Sequence, residues 1–130
     1  MGEAGYIYLI ERSDGWYKIG RTGNLEQRFR SQRWELSRVF PRLLGLVQVE
    51  NSPTAEKMFH RIFDDLRTDR RHNGLGPRHE LFRLEARDLH IFWMWAGIIG
   101  IKFIKTDLDL HRRDWLPALR VIFNTAFPGG

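Results

Sequence analysis

Two short runs rich in aromatic and β-branched residues open the chain, Tyr6 to Glu11 and Trp16 to Ile19. With Ser13-Asp14-Gly15 between them they predict a β-hairpin. Two turn lengths are open. A three-residue loop with Gly15 left-handed pairs Arg12 with Trp16, Ile10 with Lys18 and Tyr8 with Gly20. A two-residue Asp-Gly loop sets Lys18 opposite Glu11, on the other face from Tyr8. Beyond the hairpin the period changes. Asn24 followed by Gln27 is a helix-start signal, and Leu25, Phe29 and Leu36 keep helical spacing, which predicts a helix over about 25–36. Arg28 and Gln32 share its apolar face, whereas Arg30 and Arg33 lie off it. A guanidinium directed inward needs a partner: a carboxylate, backbone carbonyls or a bound phosphate.

Val39 to Val49, with Pro41 near its start, reads as a third strand. Ser52-Pro53 then opens a second helix, with Ser52 as its cap and the proline in the first turn. Ala55, Met58, Phe59, Ile62, Phe63 and Leu66 form its buried stripe, and Glu56 and His60, four apart, sit together on one flank. The segment from Arg67 to His79 reads as a basic loop. Leu81 to Leu84 reads as a short strand, Ala86 to Ile99 as an unusually apolar helix and Ile101 to Ile104 as another strand. A last helix is expected from a cap at Asp114 to about Ala126.

Composition narrows the function classes. A chain of 130 residues suits one domain, and 42% hydrophobic with 28% charged residues suits a packed core under a solvated surface. The net charge of +5 comes from seventeen Arg and four Lys against sixteen acids, which favours a polyanionic partner. Arg in particular forks phosphate oxygens. No cysteine is present, so disulfides and thiolate zinc sites are excluded and any metal must use oxygen or imidazole ligands. The N-terminal MGEAGYIYLI shows no export signal, so a cytoplasmic location is expected. The longest apolar run, Ile91 to Ile101, falls short of the roughly 20 residues that span a bilayer.

Tyr6-Ile7-Tyr8, Lys18-Ile19-Gly20, the stretch KIGRTGNLEQR, and AEKMFHRIF followed by HELFRL together resemble the GIY-YIG nucleases, in a phage-type branch with Lys-Ile-Gly in the second motif. The resemblance covers about residues 5–84. It implies an α+β fold with a small three-stranded antiparallel sheet flanked by helices, and a C-terminal apolar helical extension over 85–130 packed on that core, all in one domain. It also selects the three-residue hairpin loop, because only that register puts Tyr8 and Lys18 on one face.

The implied function is a metal-dependent DNA endonuclease using Mg²⁺ or Mn²⁺, with DNA as partner. Glu56 would be the metal ligand, Arg28 the cation for developing charge, and Tyr8 a group orienting water or phosphate. Lys18 stands where the best-known pattern has a tyrosine. It would act as a base only with a strongly lowered pKa, and otherwise as a phosphate clamp. His60 is a second candidate for proton transfer. Gln32 and the lack of a counterpart to the family's late asparagine are further departures. Arg21, Arg30, Arg33, Arg70 and Arg71 are candidate DNA-binding residues. Two other readings follow from the same residues: an inactive nucleic-acid-binding module of this fold, or an interaction protein using the apolar C-terminal segment.

Overall fold

The computed structural model describes residues 2–67 and 81–129. Strands β1 (Gly5–Glu11) and β2 (Tyr17–Thr22) form the expected hairpin. Arg12 and Gly15 close it, with Arg12 N donating to Trp16 O at 2.9 Å and Gly15 N to Arg12 O at 3.1 Å. Gly15 has φ 90°, which L side chains rarely adopt. The three-residue loop sets Tyr8 opposite Gly20 and Ile10 opposite Lys18.

Helix α1 (Leu25–Leu36) has the bounds its spacing predicts, and Asn24 Oδ1 caps it by accepting from Gln27 N at 3.1 Å. Strand β3 (Arg42–Val49) begins later than the apolar run, because a 3₁₀ turn at Ser37–Val39 and a positive φ at Phe40 come first. The cap of helix α2 (Ser52–Ile62) is Asn51 rather than Ser52: Asn51 Oδ1 accepts from Thr54 N, while Ser52 is buried in the first turn. A proline following Ser52 marks the first turn but does not say which of two cap-type residues sits outside it.

The sheet has five strands, not three. Its order is β4-β2-β1-β3-β5, with every neighbouring pair antiparallel. Two segments read as strands from sequence join its two sides. Strand β4 (Leu81–Phe82) pairs with Tyr17 and Lys18 of β2, and an isolated bridge joins Phe82 to Arg67. Strand β5 (Lys102–Asp109) continues past Ile104 through Thr-Asp-Leu-Asp. A two-residue strand has no readable period, and the alternating charges of β5 hide a sheet edge whose outer residues stay solvated.

Helix α3 (Ala86–Ile99) and helix α4 (Trp115–Ala126) complete the described elements. Among the described residues no helix is long and apolar enough to cross a membrane. One face of the sheet carries Tyr6, Tyr8, Ile10, Leu43 and Leu46 under α1 and α4; the other carries Ile7, Leu9, Ile19 and Val47 under α2 and α3.

Candidate phosphate-binding site

Strand alternation sends Tyr8 and Lys18 to the α1 face, where both side chains are buried, at 0% and 1% relative exposure. Opposite Tyr8 stands Gly20, and a Cβ there would overlap the phenol ring. The tyrosine can lie flat across β2 because that position has no side chain. From above, α1 supplies Phe29, edge-on to the Tyr8 ring at 5.2 Å, and Arg28, whose Nε donates to Tyr8 Oη at 3.4 Å. One turn further on, Gln32 is buried with its amide oxygen facing both cations, the orientation its neighbours require. That oxygen accepts from Lys18 Nζ at 2.8 Å and from Arg28 Nε and Nη2 at 3.0 and 3.2 Å.

Two cations therefore lie within 3.0 Å of one amide oxygen, beside a phenol. An anion at the margin of the cluster would gain from both cations in a partly desolvated setting. Arg28 is the half-buried member, so it is the route by which such an anion would meet the group.

On the other side of β2 the support comes from α2. Strand β4 stops at its pairing with Lys18, and just past that point His60 Nε2 donates to Ile19 O at 2.8 Å while its ring packs against Phe82 at 5.1 Å. A carbonyl can only accept, so Nε2 carries a proton. One turn earlier on α2, Glu56 Oε1 lies 3.6 Å from Arg21 Nε, which places the carboxylate along β2. Among the described residues no three His, Asp or Glu side chains form a metal-binding cluster. Glu56 would be a single protein ligand, which fits Mg²⁺, an ion that keeps much of its water.

Placed together on one face, then, are Tyr8, Lys18 and Arg28, with Gln32 joining the two cations. Glu56 and His60 belong to the helix of the other face and reach β2 from that side. Arg21 sits with Glu56. Arg30 is exposed on the outer side of α1, in a shallow groove with Asn24, Gln27 and Ser31. The side chain of Arg33, and Arg70 and Arg71, lie outside the described residues. Tyr17 faces away from the cluster, as alternation requires. Burial first, and Glu11 second, hold its phenol above the ordinary tyrosine pKa, and it donates to Glu11 Oε2 at 3.0 Å.

The sequence places Gln32 on the apolar face beside Arg28 and marks it as a departure from a pattern, but assigns it no part in the site. Its position on the Leu25–Phe29 face next to Arg28 was the available sign that it shares the buried cluster. The requirement for glycine at position 20 was likewise readable only once Tyr8 had been placed across it.

No curated protein and no solved structure matches the chain. A family match does exist, to the T5orf172 domain, over residues 5–95. It overturns the resemblance to the GIY-YIG nucleases. The short motifs behind that resemblance are local packing solutions: a tyrosine on one strand needs a glycine across from it, and an inward arginine needs the helix that follows. Such a hairpin and helix do not by themselves discriminate one family from another. Matched over well more than half of its length, the chain belongs to the T5orf172 domain family.

Proposed function

We propose that this protein is a metal-dependent DNA endonuclease that hydrolyses phosphodiester bonds. The observation that carries the reading is the convergence of Lys18 and Arg28 on the Gln32 oxygen beside the Tyr8 hydroxyl. The arginine-rich composition supports it.

In this reading a phosphate of the DNA backbone docks against Arg28, the accessible member of the cluster. Lys18, fixed in the core, adds a second positive charge from behind. Water adds to phosphorus and the P–O bond to the leaving sugar oxygen breaks; the water gives up a proton to solvent, the leaving oxygen takes one up from solvent, and the negative charge that grows on the phosphate oxygens is stabilised by the guanidinium more than in the ground state. Tyr8 accepts from Arg28 and so helps to hold the guanidinium in place. Glu56, on the α2 side of β2, would hold Mg²⁺ or Mn²⁺ as a Lewis acid for the same phosphate, which would then lie at the edge of β2 between the two faces. His60 pins α2 to β2 and so sets the position of Glu56. Phosphate contacts of this kind hold a duplex in place without identifying its bases.

The test is nicking of supercoiled plasmid with Mg²⁺ or Mn²⁺ by the natural protein, Arg28→Ala and Glu56→Ala. Loss of about 100-fold in rate is expected for Arg28→Ala, the usual scale for one charge-stabilising donor, and loss of metal-dependent nicking for Glu56→Ala. The alternative is a nucleic-acid-binding module that does not cut, favoured by the pairing of Glu56 with Arg21. Plasmid binding without cutting by the natural protein under every metal would select it.

A further inference from the structure

The two edges of the sheet are unlike. On one side β4 is two residues long and caps part of β2; on the other, β5 runs for eight residues, and among the described residues nothing pairs with its outer side. A long open edge offers a row of backbone donors and acceptors to another strand. Beside it lies an apolar margin. Met94 and Ile98 on α3, Ile101 in the turn and Phe103 at the start of β5 are exposed, at 49, 63, 59 and 38%. Phe103 packs beside Trp93 at 5.5 Å, which joins the helix and the strand into one surface.

The order of side chains along β5 is complementary to itself. Ile104 and Leu108 pack toward the α1–α4 core, while Phe103 and Lys105 lie on the α3 side, Lys105 Nζ being 5.4 Å from the Trp93 ring. Two antiparallel copies of β5 related by a twofold axis through Thr106, where the ladder to β3 shifts register, would put Lys105 opposite Asp107 of the partner subunit, as a second cation on a carboxylate that Arg42 of its own chain holds at 2.6 Å. The same axis sets Ile104 opposite Leu108 of the partner subunit and Thr106 opposite its own copy. Residues directly opposite in an antiparallel pair share a face, and unlike charges, apolar pairs and Thr–Thr pairs are the favourable kinds. An axis through Lys105 or Asp107 would set like charges against each other.

We infer that β5 is a self-pairing edge, and that a second copy of this chain adds to it to form a continuous ten-stranded sheet with the apolar margins of the two α3 helices flanking the seam. The closed twofold arrangement buries each open edge with the other and leaves none to propagate. The inference stands apart from the proposed nuclease function, since β2 and its cluster lie toward the opposite edge.

Light scattering on the natural chain should give twice 15.5 kDa. Lys105→Asp, at an exposed position, should give a monomer that still melts cooperatively, at a lower Tm that no longer depends on protein concentration, because it sets acid against acid across the seam. Thr106→Cys should form a disulfide-linked dimer on mild oxidation, and Lys102→Cys should not. The chain has no other cysteine to confuse the result. A natural chain that stays monomeric at all concentrations would overturn the inference and leave Lys102 and Lys105 as charges that keep strands away. So would a dimer that survives Lys105→Asp while Thr106→Cys fails to cross-link.

Discussion

Under α2 and α3, the sheet is packed with rings and aliphatic chains: Phe59 stacks on Phe92 at 4.6 Å, and Ile7, Leu9 and Ile19 fill the floor. Under α1, at the same depth, stand Tyr8, Lys18 and Gln32. The first arrangement needs no explanation beyond the transfer of apolar surface out of water. The second buries an ammonium and sets a guanidinium next to it, both of which cost stability compared with a leucine or methionine of similar volume. Local choices that work against stability concentrate at functional sites. The contrast between the two faces is therefore the physical ground for placing the site on the α1 side of β2.

The contrast can be broken at several points. The largest effect is expected from Phe59→Ala, which removes a fully buried ring between α2 and α3. Urea denaturation should show a loss of about 3–5 kcal/mol. Lys18→Met should leave the protein folded with a cooperative transition while nicking falls about 100-fold. If Lys18→Met unfolds the protein as Phe59→Ala does, the two faces are alike and the cluster is part of the scaffold.

Gly20→Ala sharpens the comparison, since the added methyl meets the rigid Tyr8 ring rather than a flexible chain end. A loss of about 1–3 kcal/mol is expected, with nicking impaired in the fraction that stays folded. The smallest effect belongs to the surface tie between α1 and α4, where Arg120 Nε donates to Glu26 Oε1 at 2.6 Å. The hydrogen bond from Arg120 holds the Glu26 carboxyl below its ordinary pKa. The stability it adds is present above the unfolded pKa of about 4.3 and is lost as pH falls through the lower folded value. Glu26→Gln should lower Tm slightly at pH 7 and leave it unchanged in acid, with the pH 7 difference shrinking in high salt.

Long periodic elements were legible from the residues alone. α1 and α3 end where their spacing ends, whereas the residues left two hairpin registers open and the observed one was selected only through the resemblance. β4 and the outer half of β5 were legible as segments at best and not as sheet members. Two residues carry no period, and Lys-Thr-Asp-Leu-Asp reads as surface until a neighbouring strand is known. The cap of α2 was placed one residue late because Asn51 and Ser52 are both good caps and only the backbone at Asn51, φ −136°, decides between them.

At the site, the inward turn of Arg28 was legible from helical spacing, whereas the company of Lys18 and Tyr8 depends on the three-residue loop, which strand alternation alone does not select. What joins them, the amide of Gln32, was not, because a glutamine on an apolar face names no partner until its neighbours are placed. The distribution of Glu56 and His60 to the opposite face is a matter of how α2 crosses the sheet, and single-sequence patterns do not encode crossings.

The central claim, that the Arg28 cluster holds a DNA phosphate, is tested most directly by the salt dependence of duplex binding without divalent metal. Natural protein, Arg28→Ala and Arg42→Ala would be compared, Arg42 being an exposed arginine engaged with Asp107 at 2.6 Å. The account predicts that Arg28→Ala binds more weakly, with a slope of log Kd against log salt reduced by about one, while Arg42→Ala matches the natural protein. Affinity and slope unchanged in Arg28→Ala, or lowered equally in both variants, would contradict it.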